Sequence, residues 1–276
     1  MLQGETKFLR KLGNSSIIID ISNLGVEKDL FLHKYRERES TGLLKEEFLE
    51  EGMNVLEIGA NIGYYVVIEA DYIGESGSIK AVEPTPRNYD LLLQNIALNK
   101  YENVDCVRKA LGSETGKSEI KISKAPNRNR ISKDESGGKT LETELTTADK
   151  LTGGIDIDLV RMDVEGYELR IIEGMEDLLK KDQLKMFLEI HPGKMEKFYD
   201  DDVEGLWKLL SEHNFRIKHL VRHPPHAKLS YFFRRAHAPR KVLTPDMTVE
   251  KTLEEFPEFF RSESTFRVFL EKEEDN

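Results

Sequence analysis

Residues 54–67 read "NVLEIGANIGYYVV". An apolar run ends at Ile58, glycines follow at Gly59 and Gly63, and a second apolar run begins at once. That succession is a strand, a tight turn and a helix packed back on a sheet, the opening of a βαβ unit.

The same alternation continues along the chain and predicts a mainly parallel sheet. Strands are expected at "MNVLEI" (53–58), "GSIKAVEP" (77–84), "NVDCVRKAL" (103–111), "DIDLVRMDVEG" (156–166), "LKMFLEIHP" (184–192), "FRIKHLV" (215–221) and "TFRVFLEKE" (265–273). Between them, "TPRNYDLLLQNIALNK" carries Tyr89, Leu92, Leu93 and Ile96 at helical spacing, with Pro86 suited to the first turn. "YELRIIEGMEDLLKK" likewise gathers Ile171, Ile172, Met175, Leu178 and Leu179 on one side, and "VEGLWKLLSEHN" is a further helix. "GSETGKSEIKIS" reads as a turn with β-structure beyond it, and the polar stretch 124–140 as a mobile surface loop. Residues 1–42 stand apart, with a strand at "SSIIIDIS" and a helix at "DLFLHKYRERE", and read as a cap or an oligomer contact before a domain spanning 43–276. The acidic tail is expected to fray.

Composition narrows the function classes. The 276 residues can bury a sizeable core, and the lone Cys106, in an expected strand, excludes a disulfide framework or a thiolate zinc cluster. No stretch resembles a signal peptide or approaches the roughly 20 apolar residues of a membrane span, so a cytoplasmic protein is expected. A net charge of -10 argues against a dedicated polyanion binder, and a charged content of 33% is compatible with a thermophilic source.

The glycine turn narrows the ligand. A dinucleotide fingerprint needs glycine at the middle position so that backbone can approach a pyrophosphate. Asn61 stands there instead. Glu83 then falls at the end of the second strand, placed to accept the hydroxyls of a ribose. A nucleoside without a pyrophosphate satisfies both observations, and S-adenosylmethionine is such a molecule. Its sulfonium also suits the acidic Glu57 and Glu83.

Carboxylates gather at the ends of the fourth and fifth strands. Asp163 and Glu165 lie in "MDVEGYE", where Gly166 permits a sharp bend, and Glu189 and His191 lie in "LEIHP". These groups could form a general base with its orienting partner, or Asp163, Glu165 and Glu189 a hard-cation site for Mg²⁺. Capping of the following helix is the structural alternative for Asp163 and Glu165. Glu168 reads as an ion-pair partner for Arg161 or Arg170.

The motifs "VLEIGANIGYY", "VEPTPRNYDLLLQNIALN", "ALGSETG", "IDLVRMDVEGYELRIIEGM" and "LEIHP" together resemble FkbM-type S-adenosylmethionine-dependent methyltransferases over residues 43–192. Arg161 stands where the family usually has Lys. The resemblance implies a Rossmann-like, seven-stranded class I methyltransferase sheet with an antiparallel terminal strand. It also implies cofactor contacts from the Gly59, Asn61 and Gly63 turn, Glu83 and Ala110, and methylation of a hydroxyl oxygen.

The segment 215–241 contains no acidic residue and interleaves aromatics with basic groups at "SYFFRRAH". It reads as a groove for an anionic acceptor or as a plain basic surface that could meet another subunit. The expected function is O-methylation of a sugar, glycan-like or other small metabolite. The rivals are an RNA methyltransferase using 215–241, disfavoured by the acidic total, and a nucleoside-binding module without catalysis.

Overall fold

The computed structural model describes residues 6–22, 25–33, 36–123, 129–132, 139–222, 241–257 and 265–273. The chain opens with strands β1 (Lys7–Leu12) and β2 (Ser15–Asp20) and helices α1 (Val26–Leu32) and α2 (Arg38–Leu43). It then alternates β3 (Asn54–Ile58), α3 (Tyr64–Ile73), β4 (Ser78–Val82), α4 (Pro86–Asn99) and β5 (Val104–Val107). Strands β6 (Ala110–Leu111), β7 (Gly116–Lys121), β8 (Arg130–Ser132) and β9 (Thr140–Thr146) follow, then α5 (Ala148–Thr152), β10 (Leu159–Met162) and α6 (Glu168–Glu173). The rest is β11 (Lys185–Ile190), α7 (Pro192–Tyr199), α8 (Val203–Glu212), β12 (Phe215–Arg222), β13 (Lys241–Leu243), β14 (Met247–Thr248), α9 (Val249–Glu255) and β15 (Phe266–Lys272).

The main sheet runs β5-β4-β3-β10-β11-β15-β12-β13, with β14 also on β12. The first five of these strands are parallel, whereas β15 is antiparallel to both β11 and β12. This is the class I methyltransferase order with its reversed terminal strand inserted between the fifth and sixth. Main-sheet strand positions follow the sequence closely, except that the β5 region breaks after Val107 and restarts as β6 in a second sheet. The helix expected over 167–181 is cut to α6 with a separate 3-10 turn at Leu178–Lys180, and that expected over 29–39 starts earlier and ends at Leu32.

That second sheet, β6-β9-β7-β8, was only partly legible. Residues 130–132 and 140 are strand rather than loop, while 124–128 and 133–138 lie outside the described residues. Most of the basic segment, 223–240, also lies outside them, as does the tail 274–276.

One apolar cluster fills each face of the main sheet. Strand alternation sorts them: Leu56, Val160, Met162, Met186, Leu188, Val268 and Leu270 point to the layer of α6 and α8. Val55, Leu159, Phe187 and Phe269 point to α3, α4 and β2. On α4 the buried face is Asn88, Leu91, Leu92, Asn95 and Ile96, and Leu93 is exposed, a correction to the expected stripe. Asn95 is buried because it holds β2: it accepts from the Ile18 amide (2.6 Å) and donates to the Ile62 carbonyl (2.7 Å). Asn99, at the end of the same helix, brackets Ser16 in the same way (2.9 and 2.7 Å). Among the described residues no helix is long and apolar enough to cross a membrane.

Candidate active site

The turn after β3 is shaped by its neighbours. Gly59 has φ +79°, and a Cβ there would lie 2.1 Å from the Asp163 carbonyl oxygen, so the close approach of the chain leaving β10 demands glycine. Asn61 is left-handed at φ +53°, a conformation asparagine tolerates, and its Oδ1 accepts from the Ile62 amide (2.9 Å). Its own amide donates to Glu83 Oε2 (2.9 Å), while Glu83 Oε1 accepts from the Thr85 amide (2.9 Å) and hydroxyl. Burial pushes the Glu83 carboxyl above the usual range, and these donors pull it back. Oε1 thus meets two donors already, and the capacity for a further hydroxyl lies at Oε2.

Glu83 and Asn61 line a solvent-open cleft of about 610 Å³ at the carboxyl edge of the sheet. Ile58, Val82, Ala110 and Leu111 give it apolar walls, and Asn129, Arg130 and Ile131 bring the second sheet against it. Two expected cofactor residues are elsewhere. Gly63, left-handed at φ +87°, caps α3, where a Cβ would lie 2.7 Å from Leu92, so its role is local. Glu57 alternates away from Ile58 and points into the opposite face, fully buried and 2.7 Å from Arg161, its in-register neighbour on β10. Burial, with the charge of Asp163, raises Glu57 to about 7 despite that arginine, and Glu57 has no contact with the cleft.

Of the four expected catalytic residues, three come together and Glu165 does not. Strand β10 ends at Met162, so Asp163 projects from the sheet edge into the cleft with its side chain 22% exposed. Glu165 does not continue the strand: it is left-handed at φ +61° and bonds Lys194. Neither residue caps α6, whose N-cap is Tyr167. Glu189 is clamped by its in-register partner Arg267 (2.6 and 3.0 Å). His191, buried at the start of α7, places Nδ1 2.7 Å from Glu168 Oε1 and Nε2 3.9 Å from Glu189 Oε1. Burial alone would lower the His191 pKa, but the hydrogen bond and charge of Glu168, with Glu189 and Asp163, raise it to about 9. At neutral pH it is an imidazolium.

Asp163, Glu189 and His191 therefore converge, with one candidate ligand atom from each within 4.8 Å of the others, and Glu165 drops out of the cation set. Arg161 faces Asp163 (3.6 Å), Arg267 holds Glu189, and His191 is itself charged. The acidic groups are already met by the protein's own cations, which leaves Mg²⁺ without support.

Several participants were not legible in the sequence. Glu168 turns its carboxylate to His191 and to the Gly166 amide (3.0 Å) rather than to an arginine. Arg267 is separated from Glu189 by three helices and three strands, so only the strand order reveals the pair. Arg130 lines the cleft with its guanidinium stacked 3.7 Å over Phe198. Cys106 is half-buried, and burial pushes its thiol up to about 11, in keeping with an unreactive role.

The chain spans about a third of the length of the curated isoaspartate methyltransferases it matches: it is 36% identical over 67 residues to the protein-L-isoaspartate O-methyltransferase of Methanococcus maripaludis, covering 24% of this chain and 32% of that one. A longer match, 27% identical over 179 residues, joins 64% of this chain to 68% of the hexuronic acid methyltransferase AglP of Haloferax volcanii. Among solved structures, methyltransferase FkbM from Methylobacillus flagellatus is 16% identical, with a TM-score of 0.41 over 54% of this chain and 36% of that one. The methyltransferase FkbM domain model matches residues 57–217, more than half of the chain, from the glycine turn into β12. With the motifs in order on the strand ends they were read from, the chain belongs to the FkbM methyltransferase family.

Proposed function

We propose that the chain transfers a methyl group from S-adenosylmethionine to a hydroxyl oxygen of a sugar or sugar acid. The carrying observation is that Glu83, suited to a ribose, and Asp163, suited to a base, face one cleft. The residues fit the cofactor: Glu83 can accept a ribose hydroxyl at Oε2, and Ile58, Val82 and Leu111 offer apolar surface to a planar base. Bound there, S-adenosylmethionine supplies an electrophilic methyl on a sulfonium, which leaves as a neutral thioether.

The chain's own residues do the rest. Asp163 accepts the hydroxyl proton, and its basicity is raised by burial and by the neighbouring Glu189, against the pull of Arg161. His191, as an imidazolium held by Glu168, keeps the paired carboxylates together without acting as the base. Holding the hydroxyl in line with the methyl can contribute roughly 7–11 kcal/mol of the barrier. The relative named as a hexuronic acid methyltransferase supports an acidic sugar acceptor, and Arg130 in the cleft wall suits a carboxylate.

A nucleoside-binding module would have no use for Asp163, Glu168, Glu189 and His191 in contact. An RNA acceptor rests on segment 215–241, most of which lies outside the described residues.

Calorimetry with S-adenosylhomocysteine tests the cofactor half. Glu83→Ala should weaken binding about 10- to 100-fold, the cost of losing hydrogen bonds to a charged group. Asp163→Asn should bind normally and lose about 10²- to 10⁴-fold in transfer of labelled methyl to glucuronic acid-terminated glycans. Wild-type protein that ignores S-adenosylhomocysteine would overturn the reading.

A further inference from the structure

Glu37 is a residue for which the family motifs give no reason. It belongs to the N-terminal extension, immediately before α2, and its backbone is left-handed at φ +53°, uncommon for a residue other than glycine or asparagine. Its side chain is 3% exposed. The carboxylate enters the face of the sheet that carries the charged side chains. There Oε1 lies 2.8 Å from Arg267 Nη2 and 2.7 Å from Arg36, and Oε2 accepts from the Tyr65 hydroxyl at 2.6 Å.

Both arms of this arrangement end at the active site. Arg267 Nη2 is at once 2.8 Å from Glu37 and 2.6 Å from Glu189, so one nitrogen bridges the extension and the catalytic cluster. The Tyr65 ring lies 4.0 Å beneath the Arg161 guanidinium, which faces Asp163 at 3.6 Å. The stacked Phe187 and Phe269 rings, 4.2 Å apart, lie on the same face of the sheet. Glu37 touches the Arg267 guanidinium with one oxygen and the Tyr65 hydroxyl with the other, so a single buried carboxylate ties down the direction of both groups.

We propose that Glu37 is a positioning residue of the methyl-transfer site, holding Glu189 through Arg267 and Asp163 through Tyr65 and Arg161. The inference rests on the methyl-transfer reading above. It makes the extension part of the catalytic apparatus.

The test compares Glu37→Gln with Glu27→Gln. Glu27 is another buried acid of the extension, but its partner is Arg87 of α4 (2.6 Å). The primary readout is an NMR titration of His191 in the full chain carrying labelled histidine, the resonance being assigned by its loss in His191→Asn. Glu168, Glu189 and Asp163 are the acidic groups that act on this imidazole. Without the Glu37 charge, Arg267 draws Glu189 to itself, and the imidazolium loses support. The midpoint, near 9 in the wild type, should fall by about one pH unit in Glu37→Gln and stay in place in Glu27→Gln. Transfer to glucuronic acid-terminated glycans should fall about 10- to 100-fold in kcat, with KM for S-adenosylmethionine kept.

A folded Glu37→Gln protein whose His191 midpoint and kcat match those of Glu27→Gln overturns the proposal. Where Glu37→Gln does not fold, Glu37→Asp retains the charge but withdraws it by a methylene. Its midpoint should move in the same direction by less, and an unmoved midpoint overturns the proposal equally. The titration needs no acceptor, and S-adenosylhomocysteine binding by the wild type, measured alongside, reports separately on the cofactor reading.

Discussion

His191 illustrates how a residue's surroundings set its role. An isolated histidine in a sheet edge reads as a base, yet Glu168 at 2.7 Å and two further acids turn this one into a fixed cation. The consequence for stability has a definite sign. The group's pKa rises from about 6.5 unfolded to about 9 folded, so its contribution is fully present below about 6.5 and is lost as the pH rises through 9. The difference in unfolding free energy between wild type and His191→Asn should therefore shrink by on the order of 3 kcal/mol from pH 6 to pH 10, as measured by urea denaturation. A difference that grows over that range would refute the assignment. The placement of Asp163 and Glu83 at the sheet edge was legible because each follows a strand end directly, where position along the chain and position in space agree. Glu57 was misjudged for the same reason in reverse: one step before Ile58, alternation sends it through the sheet to the other face.

At the level of elements, the "NIALN" ending of α4 is a joint rather than a ligand site. Asn95 and Asn99 use their amides as a strand would, accepting from and donating to the Ile18 and Ser16 backbones. Asn95 also reaches the Ile62 carbonyl in the glycine turn, which ties β2 to the cofactor side of the molecule. Asn95→Ala would leave the Ile62 carbonyl buried without this donor. It should destabilise the protein by about 2–4 kcal/mol in denaturant titration, more than Gln94→Ala on the outer face of the same helix. Equal losses from the two variants would remove the joint. The buried asparagines were not legible because helical periodicity registers apolar stripes, and an amide in a stripe reads as an interruption. The second sheet was hard to read for a related reason: β6 and β8 span only 110–111 and 130–132, too short for alternation to declare itself.

On the scale of the whole molecule, two apolar layers share one sheet, and the extension lies over one of them. Trp207, stacked on Phe266 in the other layer, reports on the far side. Because Glu37 and Arg267 join the extension to β15, the layers should melt together. Trp207 fluorescence and far-ultraviolet circular dichroism should give coincident midpoints. An earlier transition seen only by circular dichroism would mean that the extension unfolds by itself. The order of the main sheet was legible from the alternation of strands and helices together with the family resemblance. The docking of residues 6–43 was not, since local pattern says nothing about which surface a hairpin covers.

Strand β15 follows every other strand of the main sheet along the chain, yet it lies between β11 and β12. A ribosome that has delivered everything up to Thr265 has made β11 and β12 with a gap where they should be bridged. It has also made Glu37 and Glu189 without the guanidinium that neutralises both. The nascent protein must therefore keep an apolar strand edge and two burial-bound acids exposed until β15 has been made. Its main sheet can close only when β15 arrives, and until then the facing edges of β11 and β12 are open to pairing with other chains.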